Sequence, residues 1–463
     1  MKLKISENQL VCVIIALFFV IGCVVIVQFD GTGDTGDSIT HYFYARYAPL
    51  HPEFFFHHWA KPLFVLLASP FAQMGFNGIK FFNLLNATLT LWLTYKLAKR
   101  LDFPNPIVAV LILATCSGYF TLTFSGLTEH LFALILVAAV LLLVTEGYVW
   151  GSLLVSFLPF VRSEGLLMIG VVGLFLLLKK QWKALPYLSI GHIVYGLAGA
   201  TVHGSVLWIF TKIPYATTNS YGKGGLFDFF EKLYYMAGVP QFAFWVFGIF
   251  SIYYFIKKRP PQYLSVLTLI YGSFFALFIA HSLFWYYGIF MSMGLSRVLN
   301  AVMPMFALIG LCGFNWVQLF LKNDVAKKAV NTLLLSVLIV FPFTSNPAAI
   351  NPKKSLMPED NQVVAARIAD VLKTKYPDHT YYLLHPQIAL SLDVDYFDKN
   401  KIKDFGKYWQ QPLPQNAILI WDSWFCVVDA GISLDAVDSD ARLERITNLP
   451  AKNNWQFVLY RVK

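Results

Sequence analysis

The chain has 463 residues, 57% of them hydrophobic and only 13% charged, with a mean hydropathy of +0.57. Soluble domains carry about a quarter charged residues, so a chain built only of them is excluded and a polytopic membrane protein is implied. Lys and Arg outnumber Asp and Glu by 36 to 26, yet residues 349–463 hold 14 of each sign, so the whole +10 surplus falls in the apolar first 348 and does not mark a nucleic-acid binder.

The expected architecture is a multi-span α-helical membrane domain over residues 1–348, followed by a small extracytoplasmic α/β domain over 349–463. A crossing needs roughly 17 to 25 mostly apolar residues. About eleven such runs begin near Leu10, Gly78, Asn105, His130, Trp150, Gly165, Leu185, Gln241, Tyr263, Asn300 and Ala329. Met1 to Phe29 has the outline of a signal peptide, and Val20-Ile21-Gly22-Cys23 passes for a lipoprotein cleavage box. The apolar run continues through Val27, however, so an uncleaved first span is expected.

The first external loop, residues 30–61, is the densest cluster of ionisable groups. It reads Asp30-Gly31-Thr32-Gly33-Asp34-Thr35-Gly36-Asp37-Ser38-Ile39-Thr40-His41, then Arg46, His51, His57, His58 and Lys61. Glycines let the chain turn sharply, and three carboxylates within eight residues repel one another unless they serve a cation, a proton or an acceptor hydroxyl. Asp34, Asp37 and His41 are the one candidate set for a divalent ion. Pro62 to Phe76 is apolar but carries Pro70 and Gln73 and suits an interfacial segment.

Further along, Thr128-Glu129-His130 opens a span from outside. Thr128 suits a cap and Glu129 a first-turn acid, but an ionisable pair at a span mouth is costly unless it faces a cavity. Arg162-Ser163-Glu164-Gly165 joins two apolar runs and reads equally as an internal ion pair or as a substrate contact. The loop Gly204 to Pro240 holds Trp208, Tyr215, Tyr221 and Phe227 with Lys212, Lys223 and Lys232. It fits a sugar-stacking lid or an interfacial aromatic belt. Of five cysteines, Cys12, Cys23, Cys116 and Cys312 lie in spans and Cys426 alone lies in the tail, which excludes a disulfide within the tail domain. In the tail, Val364, Ile368 and Val371 fall on one helical face. Tyr381–Leu384, Ala417–Trp421 and Phe457–Val462 read as strands, with Asp422 as a loop cap.

Sidedness follows from the cations. With a cytoplasmic N-terminus, Lys2, Lys4, Lys96, Lys99, Arg100, Lys179, Lys180, Lys183, Lys257, Lys258, Arg259, Lys322, Lys327 and Lys328 all fall in cytoplasmic segments, where Lys and Arg concentrate. Eight acids (Asp30, Asp34, Asp37, Glu53, Glu129, Glu164, Asp228, Glu231) then face out with eight cations (Arg46, Lys61, Lys80, Arg162, Lys212, Lys223, Lys232, Arg297). A site made from these combines carboxylates for acid–base work with cations for an anionic group.

These residues resemble the integral-membrane glycosyltransferases of the GT-C superfamily, which includes protein mannosyltransferases and the aminoarabinose transferases of lipid A. The likeness runs from Gly36-Asp37-Ser38 and the aromatic Tyr42-Phe43-Tyr44-Ala45-Arg46-Tyr47 through Lys61-Pro62-Leu63, Tyr95-Lys96-Leu97-Ala98-Lys99-Arg100 and Leu127-Thr128-Glu129-His130. It continues through Arg162-Ser163-Glu164-Gly165 and Gly294-Leu295-Ser296-Arg297 on to Pro304. The resemblance implies a sugar donor carried on a polyprenyl phosphate, an extracytoplasmic glycan, lipid or protein acceptor, and inversion at the anomeric carbon. It implies Asp37 as general base, with Asp34 as the alternative, and Glu129 as a second site carboxylate. Lys61 and Arg297 are implied as ligands of the lipid phosphate; His58, Arg162 and Glu164 are further candidate substrate contacts on this side. No nucleotide or other cofactor is needed for such a donor. A bacterial inner membrane suits the outward domain. The alternatives are a flippase for lipid-linked sugars, which would show charges at midspan and related halves, and a glycan polymerase or ligase.

Overall fold

The computed structural model describes residues 6–215, 221–321, 323–344 and 346–463; Lys2, Lys4 and Lys322, counted above as cytoplasmic, lie outside these. Helix α1 (Glu7–Gln28) starts at a capping box between Ser6 and Gln9. Then come α2 (Asp37–Tyr47), α3 (Pro62–Ala72), α4 (Phe76–Arg100), α5 (Ile107–Thr115), α6 (Ser117–Leu122), α7 (Glu129–Val144), α8 (Tyr148–Ser156) and α9 (Gly165–Leu178). Beyond these lie α10 (Ile190–His203), α11 (Trp208–Thr211), α12 (Asp228–Ala237) and α13 (Val239–Lys258). Next, α14 (Tyr263–Ser265) passes through a π-helical stretch into α15 (Ser273–Tyr287), and α16 (Met303–Gln318) and α17 (Asp324–Val340) complete the bundle.

Helix occupies each of the eleven apolar runs, but among the described residues only six helical segments are long and apolar enough to cross a membrane: Glu7–Gln28, Trp182–His203, Val239–Lys258, Tyr263–Tyr287, Ser296–Gln318 and Asp324–Phe343. The chain is an integral membrane protein of helical architecture. Shorter apolar helices at Glu129–Val144, Tyr148–Phe160 and Gly165–Leu178 pack among them. Helix α3 is 11 residues long, about half of a crossing, and lies against α2 and α4.

Ser296–Gln318 is the most enclosed span, and its partner is α13. Two glycines set that contact. A Cβ on Gly248 would stand 2.1 Å from the Ile309 carbonyl oxygen, and one on Gly313 would stand 1.9 Å from that of Phe244. Lipid is as apolar as the side chains, so helices in a membrane associate by such close backbone approach.

The bundle has two distinct ends. At one, Glu7 accepts the Ile107 amide at 3.2 Å, and Lys99 reaches Asn8 at 3.3 Å. At the other, α1 ends beside Lys80, whose ammonium donates to the Phe29 carbonyl at 2.8 Å, and the Gly31 amide donates to Leu356 at 2.9 Å.

That second end carries the C-terminal portion: α18 (Pro352–Ser355), α19 (Asp360–Lys375), α20 (Pro386–Leu392), α21 (Leu434–Asp438) and five strands. These are β1 (Thr380–Leu383), β2 (Ile402–Asp404), β3 (Ala417–Asp422), β4 (Leu443–Pro450) and β5 (Gln456–Val462), in the order β2-β1-β3-β5-β4. Strand β1 pairs in parallel with β2 and β3, while β5 runs antiparallel to β3 and β4. The three expected strands are β1, β3 and β5. Three-residue β2 is too short to show a pattern, and β4 is a polar edge strand. Helix α19 buries Val364, Ala365, Ile368, Ala369 and Leu372. Val371, expected on that face, is only half-buried at its margin. Asp422 caps its loop, accepting the amides of Trp424 at 3.0 Å and Phe425 at 2.7 Å. Cys426 is a free, buried thiol. The tail is tied to the bundle by Gln362 to Thr32 at 2.6 Å, Tyr47 to the Val394 carbonyl at 2.8 Å and His51 to Asp395 at 2.9 Å.

Candidate functional site

The site begins with the turn before α2. The first amides of a helix have no partner within it, and Asp34 supplies one by accepting the amides of Gly36 at 2.9 Å and Ser38 at 3.2 Å. Ser38 then locks the loop to the turn before α7. Its hydroxyl donates to Thr32 at 2.6 Å and accepts the Gly126 amide at 2.7 Å. Asn83 on α4 holds the same turn by donating to the carbonyls of Ser125 at 2.7 Å and Leu127 at 2.9 Å.

Arg297, on the 3-10 turn Ser296–Val302 that leads into α16, reaches this loop from some 260 residues away. One arm donates to Asp34 at 3.1 Å and the other is ion-paired with Asp37. The two aspartates are not equivalent. One oxygen of Asp34 is taken by backbone amides and the other by Arg297, and its side chain is 25% exposed. Asp37 offers a side chain that is 45% exposed.

A second cluster lies alongside. Arg162 pairs with Glu129 at 2.6 Å and Glu164 at 2.8 Å, and it also donates to the Thr128 hydroxyl at 3.1 Å. His281 on α15 lies 3.1 Å from Glu164. Thr128 therefore does not cap α7, as its sequence position suggests. It makes no capping bond and is occupied by Arg162. Of the two readings of Arg162-Ser163-Glu164, the internal ion pair is the one observed. Arg297 also feels the charges of Glu129 and Arg162, so the two clusters share one field.

Lys61 stands apart from the other cations. It is buried, at a positive φ of 69° that a non-glycine residue rarely adopts. Its ammonium donates to Ser163 at 2.8 Å and sits 5.1 Å from the ring centre of Tyr215, but it forms no ion pair with a carboxylate among the described residues. Burial pushes Lys61 down to about 8, against the opposing pull of Glu164.

Other expected residues fall elsewhere. His58 faces the Ile209 carbonyl at 2.9 Å and stands edge-on to Trp208, so it anchors α11 while still feeling the charge of Lys61. His41 stacks on Trp59 at 4.6 Å, and burial, with the charges of Arg297, Arg162 and Lys61, pushes it down to about 3. Among the described residues no group of three or more His, Cys, Asp or Glu is placed to hold a metal ion, so Asp34, Asp37 and His41 do not form one. Of the aromatic loop, Trp208 is buried on His203, Phe227 is exposed, and the Tyr221 hydroxyl donates to Asp429 of the tail at 2.9 Å. The sequence reading missed Ser163 as a Lys61 partner and His281 as a Glu164 partner. The one available signal for His281 was an imidazole in an otherwise apolar span. A polar cavity of about 190 Å³ lies beside Asp34, lined also by Gly33, Thr121, Lys354, Glu359 and Gln362.

No family model and no curated protein matches the chain. Among solved structures it is similar to ArnT from Cupriavidus metallidurans bound to undecaprenyl phosphate, with a TM-score of 0.64 and 12% identity over 98% of both chains. The same protein in the apo state gives 0.63 and 10% identity, again over 98% of both. ArnT is an aminoarabinose transferase of the GT-C superfamily. The chain therefore has an ArnT-like fold, which agrees with the resemblance read from the motifs.

Proposed function

We propose that this protein is a glycosyltransferase that moves a sugar, a hexose or a related mannose-like unit, from a polyprenyl-phosphate donor to an extracytoplasmic acceptor. The observation that carries the reading is an accessible carboxylate, Asp37, paired with Arg297 in an ArnT-like bundle, with a buried Lys61, free of a carboxylate partner among the described residues, whose charge bears on His41 together with that of Arg297. ArnT has been solved bound to undecaprenyl phosphate, which supports a donor of that kind here.

In this reading the bond between the anomeric carbon and the phosphate oxygen breaks as the acceptor oxygen attacks from the opposite face. Asp37 takes the acceptor proton, and the product has inverted configuration. The phosphate departs as an anion that needs no proton. Lys61 and Arg297 gather its charge, in surroundings where water no longer weakens the attraction. Glu129 and Glu164 act through Arg162, holding its guanidinium against the site. Asp34 positions rather than reacts, since both its oxygens are engaged.

The cation bias supports a cytoplasmic N-terminus with residues 349–463 and the site on the far side, and the outward domain suits a bacterial inner membrane. The membrane domain spans 1–348 with eleven crossings, the short helices being completed by their neighbours. The test is transfer by purified protein from radiolabelled polyprenyl-phosphate sugars, wild type against Asp37→Asn. Loss of product in the variant is expected. Undiminished product removes Asp37 as base, and passage of intact donor across a vesicle without glycosyl transfer replaces the transferase with a flippase.

A further inference from the structure

The C-terminal sheet meets the first loop at the place where open α/β sheets take ligands. Strands β2, β1 and β3 are parallel, and the chain leaves β1 for its neighbour on one side before returning to pair on the other. Ligands bind off the carboxyl ends of strands where the order reverses in this way. Here those ends lead to His385 and to Asp422–Phe425. The Phe425 ring lies 3.4 Å from where a Cβ on Gly36 would stand, one residue from Asp37.

Three features of this place are not accounted for by core packing. Trp424 and Trp455 stack with centroids 6.2 Å apart and 28° between planes, and Trp424 is 39% exposed. Beside them, Asn453 and Asn454 hold exposed amides in a turn at φ of 58° and 61°. That turn is fixed by the Lys452 amide donating to Asp360 at 2.7 Å, and the adjacent Glu359 accepts the Thr35 hydroxyl at 3.2 Å, which ties the rim to the first loop. Beneath the rings His385 is wholly buried against Phe425, Trp455 and Phe457. Neither of its ring nitrogens has a hydrogen-bond partner among the described residues, a condition that folded chains avoid.

An indole pair edged by amides matches a sugar, whose C–H face stacks on a flat apolar surface while its hydroxyls seek donors and acceptors at the rim. A lipid tail would need a continuous apolar groove instead of an amide-edged ring pair. We propose that this face of the tail seats the acceptor and that the acceptor is a carbohydrate, one ring of which stacks on Trp424 and Trp455 while a neighbouring unit presents its hydroxyl to Asp37. The assignment rests on the transferase reading above.

The test uses the full-length protein in nanodiscs and three probes: maltotriose, chitotriose and a β-1,6-linked glucosamine disaccharide. Saturation-transfer NMR reads their binding to the wild type, Trp424→Ala, Trp424→Phe and Trp455→Ala. At least one probe binds the wild type, at least tenfold more weakly to Trp424→Ala and Trp455→Ala, and with retained affinity to Trp424→Phe. Unchanged melting temperatures show that the alanine variants are folded. The proposal is overturned if no probe binds, or if both alanine variants bind as the wild type does. Slow release of sugar from the lipid donor to water needs no acceptor and tests the transferase reading separately, so failure of either is distinguishable from failure of the other.

Discussion

Lys61 gives the sharpest test of how the site holds its donor. Burial brings the ammonium from 10.5 to about 8, a dehydration cost on the order of 3 kcal/mol while it stays charged. A phosphate beside it offsets that cost, so donor binding requires the protonated form. At pH 7 about nine-tenths of the free enzyme carries this proton and at pH 9 about one-tenth, so kcat/KM for the donor falls roughly tenfold between them. The limb in kcat lies higher, because a bound phosphate raises the lysine again.

Stability runs the other way. The folded value lies below the unfolded one, so the unfolded chain binds more protons between about 8 and 10.5, and the folded form gains stability as pH rises through that window. Opposite trends separate lost binding from lost structure. Lys61→Arg keeps the charge and removes the alkaline limb below pH 10. Lys61→Met loses one charge-assisted contact, about 1.5–3 kcal/mol or roughly 10- to 150-fold in donor affinity. Initial rates over pH 6–10 and calorimetry with polyprenyl phosphate read both quantities. An alkaline limb that persists near pH 8 in Lys61→Arg would refute the reasoning, because another group would then be titrating.

Three further outcomes are expected. Asp37→Asn abolishes transfer while the protein melts close to the wild type. Asp34→Ala removes both the cap of α2 and a partner of Arg297 and costs about 2 kcal/mol in thermal unfolding; equal loss of melting temperature in the two variants would contradict their separate roles. Glu129→Ala leaves the buried Arg162 with one carboxylate and costs about 3–5 kcal/mol, whereas Glu129→Gln, which still offers an oxygen, loses less; melting curves in detergent decide this. In the tail, burial raises Asp422 to about 7. Its folded value lies above the unfolded 3.8, so the stability it contributes is present below pH 4 and lost as pH rises to about 7. Asp422→Asn keeps the loop cap without the charge, so it removes this slope and melts higher than the wild type at pH 8. A slope unchanged in the variant would show that Asp422 does not titrate there.

Much of the site was visible before folding. Ionisable groups at the mouths of apolar runs are expensive, so Asp34, Asp37, Lys61, Glu129, Arg162 and Arg297 stand out against their surroundings. What no local pattern revealed is who pairs with whom. Arg297 and Asp37 are joined only because the turn before α16 comes down beside α2. His281 reaches Glu164 only because α15 packs against α9. Nor does the sequence say where the loop histidines go: packing sends His41 into an aromatic stack and His58 to a backbone carbonyl.

By itself, then, the sequence determined what is written in short-range periodicity and charge. That covers the apolar runs, the basic bias that orients them, three strands of the tail, and the set of charged residues available for chemistry. The tertiary structure decided how the runs divide into helices, six of them among the described residues long and apolar enough to cross and others shorter. It also decided that Asp34 is occupied while Asp37 is exposed, that Lys61 is buried with no carboxylate partner among the described residues, and that the tail's Phe425 lies beside Gly36 of the first loop. These depend on helix contacts such as the approach of Gly248 and Gly313 to opposing backbone, interactions between distant residues that follow from the packing of the whole chain.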